Sequence, residues 1–213
     1  MIKAIIFDFD GVILESADIK TEAFKELFSE YASKIKEIVE YHLLNGGISR
    51  YVKFRYIYEH ILGMHLSKQQ EADLGERFSQ IALEKVIRTP FVRGAQEFLG
   101  KNKRRYQFFI CSGTPELELL DIVRARKLGG YFKEVRGSPT TKIDIINAVL
   151  RDYGLVKQEV VYVGDAPSDR LAAEKVGVVY IERAKDHSLK PGNSLLVIKD
   201  LSGLDKILEK IET

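Results

Sequence analysis

The apolar positions of the chain change their period twice. Residues 2–8 open with a nearly unbroken apolar run, including Ile5, Ile6 and Phe7, which reads as a buried strand. From about Ser16 to Ile87 the spacing becomes helical. Ala23, Phe24, Leu27 and Phe28 share one face, as do Ile35, Ile38 and Val39, and then Tyr51, Phe54, Tyr58, Ile61 and Leu62; a further helix is expected over 68–86. Asn45-Gly46-Gly47 and Gly63 punctuate this block. After Pro90 strands and helices alternate. The pattern predicts helices over 94–99, 117–126, 143–153, 170–176 and 204–211, and strands over 106–111, 134–136, 160–163, 178–181 and 195–198.

Apolar strands separated by helices imply parallel pairing with helices on both faces. The expected fold class is therefore α/β, a Rossmann-like parallel sheet core with an all-helical insertion after the first strand. The division this predicts is a core of residues 1–15 and 88–213 and a helical domain of residues 16–87.

Composition narrows the picture. The 213 residues suffice for one core plus an insert. Lys and Arg number 33 against 31 Asp and Glu, so there is no electrostatic case for nucleic acid or an anionic membrane. The densest basic run, Lys101 to Arg105, falls between a helix and a strand and reads as a solvated connector. The single cysteine, Cys111, excludes an internal disulfide. No apolar run approaches the ~20 residues of a membrane span, and the chain enters its first strand without a basic leader, so a cytoplasmic location is expected.

Ligands of parallel sheets bind beyond the C-terminal strand ends, and the polar residues of interest fall there. Asp8 and Asp10 follow the first strand, two residues apart, and should leave it on the same side roughly 6–7 Å from each other. Gly11 permits a sharp turn and a close backbone approach. Ser112, Gly113 and Thr114 follow the second strand, Lys142 stands near a helix start, and Gly164, Asp165 and Asp169 follow a later strand. Four carboxylates would repel a phosphate dianion. A hard divalent cation resolves that conflict, and Mg²⁺ is the usual choice because it accepts carboxylates, phosphate oxygen and water together. Lys142 and the Ser112 hydroxyl complement the oxygens of a transferring phosphoryl group. One carboxylate can then serve as nucleophile, and a second can give and take a proton.

This ordered set resembles the haloacid dehalogenase superfamily of phosphohydrolases. Asp8-Phe-Asp10-Gly11-Val is similar to its first motif, Ser112 to its second, Lys142 to its third, and Gly164-Asp165 with Asp169 to its fourth. The helical insert resembles the cap domain of the phosphoglycolate-phosphatase and β-phosphoglucomutase branch, so the resemblance spans the chain. It implies that Asp8 is the nucleophile and a metal ligand. Asp10 would be the general acid and base, and would bind metal through its carbonyl. Asp165 would ligate the metal directly, Asp169 would stand behind it, and Gly11 and Gly113 would offer N–H groups to the phosphate. Asp10 argues for phosphoryl transfer over dehalogenation, because a leaving alcohol needs a proton. The implied activity is a Mg²⁺-dependent phosphatase acting on a small phosphorylated metabolite.

Two positions depart from the pattern. Lys20 stands where the mutase branch has a histidine, which weighs against the alternative of a sugar phosphomutase, and Ile143 replaces the proline that often follows the third-motif lysine. A non-catalytic binding protein on the same fold is a third reading, and it would require a lost catalytic residue. In the insert, Gly46-Gly47-Ile48-Ser49-Arg50 resembles a specificity loop, with Arg50 placed to hold a second anionic group and Lys53 and Arg55 as weaker candidates. Cys111 reads as a small core residue, and His42, His60, His65 and His187 as surface or structural.

Overall fold

The computed structural model describes residues 1–185 and 196–212. Six strands form one parallel sheet. β1 (Ala4–Phe7) lies inside it, flanked by β2 (Gln107–Pro115) with β3 (Phe132–Ser138) on one side. On the other side lie β4 (Val160–Gly164), β5 (Val179–Arg183) and β6 (Leu196–Ile198), giving the order β3-β2-β1-β4-β5-β6. The strand order reverses at β1. Connections therefore leave it in opposite directions and open a crevice at the C-terminal ends of β1, β2 and β4.

Between β1 and β2 comes a helical block: α1 (Ala17–Leu27), α2 (Ile35–Leu44), α3 (Arg50–Tyr56) and α4 (Lys68–Arg88). α3 runs on into a π-helical turn, Ile57–Leu62, and Gly63 ends it at φ +65°, a left-handed conformation that costs glycine little. The block has its own core, in which Phe24, Phe28, Phe54 and Phe78 are all essentially inaccessible. The Phe24 ring meets Phe54 at 5.7 Å and Phe78 at 5.1 Å, within the range of favourable aromatic pairs. Ser67 opens α4 with a reciprocal cap: its hydroxyl accepts from Gln70 N–H while Gln70 Oε1 accepts from Ser67 N–H.

After the block come α5 (Ala95–Asn102), α6 (Glu116–Ala125), α7 (Lys142–Asp152), α8 (Pro167–Val176) and α9 (Leu204–Glu212). Strand alternation sorts side chains into two layers. Ile5 and Phe7 pack with Phe108, Val161 and Val163 against Phe98 of α5, Leu119 and Ile122 of α6, and Leu204 and Leu208 of α9. Ala4 and Ile6 pack with Phe109, Cys111 and Tyr162 against Ile145 and Val149 of α7 and Ala172 and Val176 of α8. Each large side chain fully buried here contributes about 1.5–3 kcal/mol. The fold is a Rossmann-like α/β sheet with helices on both faces. No helix among the described residues is long and apolar enough to cross a membrane.

The pattern reading differs from the structure mainly at element ends. β2 continues through Ser112, Gly113 and Thr114 to Pro115, because β3 still pairs there, Pro115 opposite Ser138. α8 starts at Pro167 rather than 170: the Asp169 carboxylate accepts from Ala166 N–H at 3.0 Å and closes its first turn. Leu195 and His187 lie outside the described residues.

Candidate active site

The end of β1 sets the site. Asp8 continues the strand, donating its N–H to Val163 O at 2.9 Å, and its side chain is buried. The chain then turns through Phe9 to Leu14, with Gly11 N–H donating to Leu14 O at 2.7 Å. Gly11 has φ +78°, and the Asp165 carboxylate occupies the space a β-carbon would need. Glycine is thus what lets the ends of β1 and β4 approach each other. From β5, the buried Arg183 guanidinium donates to Gly11 O at 3.0 Å and pairs with Glu15, pinning the turn from behind.

Lys142 opens α7, where the Thr141 hydroxyl caps the helix by accepting from Asp144 N–H. Its ammonium pairs with Asp169 Oδ1 and lies 3.3 Å from Asp8 Oδ1. Tyr162 O–H also donates to Asp169 Oδ1, at 2.8 Å, and Ala166 N–H takes Oδ2. Both Asp169 oxygens are therefore engaged in holding Lys142 and the helix start. Asp8 Oδ1 is different: it is buried and has no aligned hydrogen-bond donor.

Asp10 is held on both oxygens. Ser16 Oγ donates to Oδ1 at 2.6 Å, while Thr114 Oγ1 donates to Oδ2 at 2.9 Å and the Lys20 ammonium pairs with the same atom. Burial alone pushes the Asp10 carboxyl up. The Lys20 charge and the donated hydrogen bonds outweigh it, and the pKa lies below the ordinary carboxylate value. Asp8 goes the other way. Burial first, then the repulsion of Asp169, Asp165 and Asp10, raise it well above the ordinary value against the pull of Lys142. Asp165 is pushed up to about 7, by burial and then by Asp169. Burial works against the Lys142 charge, but Asp169 and Asp8 more than restore it and hold its pKa above the usual lysine range.

One carboxylate oxygen each from Asp8, Asp165 and Asp169 lie within 4.8 Å of one another. Two acids with raised pKa values, one of them with a buried oxygen that accepts no aligned hydrogen bond, suit a hard divalent cation, which takes oxygen ligands. The residues present fit Mg²⁺, with Asp8 and Asp165 as the carboxylates free to hold it.

The helical block closes over these groups and leaves a cavity of about 220 Å³. Asp8, Asp10, Ser112, Gly113, Thr114 and Asp165 line it from the sheet, and Lys20, Thr21, His42, Arg50 and Lys53 from the block. The turn at Gly46 and Gly47 lies on the sheet edge: Ser168 Oγ donates to Gly46 O at 2.8 Å, and a β-carbon on Gly113 would come within 2.5 Å of Gly47 O. That contact requires glycine at 113 whether or not its N–H also serves a ligand.

Of the residues predicted from sequence, Asp8, Asp10, Ser112, Gly113 and Asp165 meet in one cavity, with Lys142 and Asp169 just behind it, whereas Gly11 stays outside the lining with its N–H turned to Leu14 O. Arg50 lines it too, but its guanidinium has other partners. It donates to Ser79 Oγ at 2.8 Å and Glu118 Oε1 at 2.6 Å, tying α3 to α4 and α6, and lies over the Phe78 ring. Arg55 pairs with Glu71 on the surface. Of the histidines read as surface or structural, His42 is buried against Phe24 and lines the cavity, whereas His60 and His65 are exposed. Pattern reading gave no role to Ser16 or Tyr162, and did not see Thr114 and Lys20 as partners of Asp10. Thr114 and Tyr162 stand at or beside a polar strand end, whereas Ser16 and Lys20 follow Asp10 by six and ten residues and carried no such signal.

A parallel sheet with acids beyond β1 and β4 and a buried lysine beside them defines a Rossmann-like phosphohydrolase. The chain belongs to the haloacid dehalogenase-like hydrolase family, whose model matches residues 5–182. It is 25% identical over 201 residues to a phosphorylated carbohydrates phosphatase of Thermotoga maritima, an alignment covering 91% of this chain and 90% of that one. Among solved structures it resembles CbbY from Rhodobacter sphaeroides in complex with phosphate, with TM-score 0.74, 16% identity and 96% of each chain covered. It also resembles a predicted phosphoglycolate phosphatase from Haemophilus somnus, with TM-score 0.74, 16% identity, and 97% of this chain and 98% of that one covered.

Proposed function

We propose that this chain is a Mg²⁺-dependent phosphatase of a small phosphorylated carbohydrate or related metabolite, working through an aspartyl-phosphate on Asp8. The observation that carries the reading is Asp8 Oδ1, a buried carboxylate oxygen with no aligned donor, at the wall of a small cavity. The phosphatase named for phosphorylated carbohydrates supports the substrate class. A cavity of about 220 Å³ suits a metabolite of a few carbons. Residues 16–87 would act as a cap on a core of residues 1–15 and 88–213, excluding bulk water. The single buried thiol, Cys111, suits a reducing cytoplasm.

In the first step an Asp8 oxygen attacks phosphorus, the bond to the leaving oxygen breaks, and Asp10 gives that oxygen a proton. The dianionic phosphoryl group beside Asp10 raises its pKa and lets it carry that proton despite Lys20. In the second step water attacks phosphorus, Asp10 takes its proton, and the Asp8 carboxylate and inorganic phosphate are released. Lys142, the Ser112 hydroxyl and the Gly113 N–H serve the phosphoryl oxygens; the Gly11 N–H, expected from sequence to do the same, is held by Leu14 O. Asp8, Asp165 and the Asp10 carbonyl would hold Mg²⁺, which when bound would supply the positive charge that lets carboxylates and phosphate share one site. Lys20, fixed on Asp10, replaces the histidine expected of a mutase, so hydrolysis is favoured over isomerisation.

The test is hydrolysis of p-nitrophenyl phosphate. Turnover should require MgCl₂, vanish in EDTA and return on adding Mg²⁺. Undiminished turnover in EDTA would contradict the metal assignment.

A stability measurement checks the same site. With folded-state pKa values above the unfolded ones, Asp8 and Asp165 keep protons that the unfolded chain has lost. Their contribution is therefore fully present below the ordinary carboxylate pKa, and metal-free stability falls as pH rises from about 4 toward 7. A cation binds the ionised acids, so the rise in Tm on adding MgCl₂ should be larger at pH 8 than at pH 5. An equal rise at both, or none, would count against these two ligands.

A further inference from the structure

The proposed chemistry leaves one buried charge unused. Lys53, on α3 one turn beyond Arg50, is 3% exposed and lines the cavity from the helical block. The buried cations among the described residues are Arg50, Lys53, Lys142 and Arg183, and three of them have a carboxylate partner: Glu118, Asp169 and Glu15 respectively. Lys53 has none within 4.0 Å among the described residues. Its ammonium reaches only His42, at 3.3 Å to Nδ1 and 3.3 Å to the carbonyl oxygen, and lies 5.5 Å from the centre of the Phe24 ring.

An ammonium has three protons, and these long contacts use two of them. His42 is neutral: burial, then Lys53 and Lys20, push its pKa down to about 3. With Nδ1 accepting from Lys53, Nε2 carries the ring proton and faces Thr21 Oγ1 at 3.3 Å, and the Thr21 hydroxyl donates to Ala17 O. The chain of contacts ends there, with one Lys53 proton unmatched. The other charges that reach Lys53 are mostly of its own sign. After burial, Lys20 and Lys142 oppose its charge and Asp10 alone supports it, bringing the pKa down to about 7. A buried ammonium without a counter-ion costs stability, and a bound anion removes that cost.

We propose that Lys53, oriented by His42, binds a second anionic group of the substrate, a carboxylate or a second phosphate, at the cap end of the cavity while the transferring phosphoryl group meets Asp8. This rests on the phosphatase reading above and narrows it: the substrate is a small phosphoester carrying a second anion. Arg50, neutralised by Glu118, is thereby left to tie the cap helix to α6.

The experiment compares wild type with Lys53→Met in p-nitrophenyl phosphate hydrolysis, using three competitors. Inorganic phosphate has no second anion, 2-phosphoglycolate adds a carboxylate, and fructose 1,6-bisphosphate adds a phosphate. The substitution should weaken inhibition by one of the two-anion competitors about ten- to a hundredfold more than inhibition by inorganic phosphate. The competitor affected identifies the second group. Lys53→Arg should recover part of the loss. The Tm of Lys53→Met should equal or exceed that of wild type, because a buried unmatched charge has gone. Equal weakening for all three competitors, no weakening, or a fall in Tm overturns the subsite and leaves the phosphatase reading standing. Absence of p-nitrophenyl phosphate turnover in the wild type overturns both.

Discussion

Asp8→Asn should reduce phosphatase turnover by at least about 10⁴-fold while leaving the protein folded. Asparagine matches the shape of aspartate, so the packing at the end of β1 survives. What disappears is the anionic oxygen that would bond to phosphorus. The amide also relieves repulsion, since Asp8 is buried and its pKa is raised by Asp169, Asp165 and Asp10. The variant's metal-free Tm should therefore match or exceed that of wild type. Steady-state turnover beside a thermal melt separates the two effects. Comparable turnover would remove Asp8 as the nucleophile, and loss of folding would deny that its charge is a burden to the metal-free protein.

Lys142→Ala should affect both activity and stability. Its ammonium is the cation paired with Asp169, and it lies 3.3 Å from Asp8. Removing it leaves Asp169 fully buried with only neutral donors, Tyr162 and Ala166 N–H. Breaking a buried pair from one side costs about 3–5 kcal/mol. For a chain of this length that corresponds to a Tm lower by roughly 6–20 °C. Activity should fall about 10²–10³-fold, the scale of losing one fixed donor to a developing negative charge. Adding Asp169→Asn removes the stranded carboxylate and should recover part of the Tm but not the activity. Recovery of both would make Lys142 a structural residue only.

Local spacing accounts for what could be foreseen. Asp8 and Asp10 follow one apolar strand, Asp165 and Asp169 bracket a helix start, and the positions of such groups follow from strand and helix geometry. The sheet was equally legible, because β1 and β4 are apolar throughout and buried on both faces. Contacts between distant segments were not. Thr114 meets Asp10 across 104 positions, and Glu118 meets Arg50 across 68. No local period encodes such pairings, so Arg50 read as a free charge and Lys53 as a lesser candidate. β2 was read short for a related reason: Ser-Gly-Thr-Pro has the composition of a turn, and the ladder with β3, irregular after Cys111, resumes only at Pro115 opposite Ser138. For His42 the reading left surface and structural places open, because a histidine on a helix gives no sign of which neighbours will bury it.

The most direct test of the central claim is to stop the Mg²⁺-supported reaction in acid within a single turnover and map the protein by peptide mass spectrometry. A hydroxylamine-sensitive phosphoryl adduct on the peptide containing Asp8, absent from Asp8→Asn, is the predicted result. An adduct on any other residue, or full turnover with no adduct at all, would contradict it.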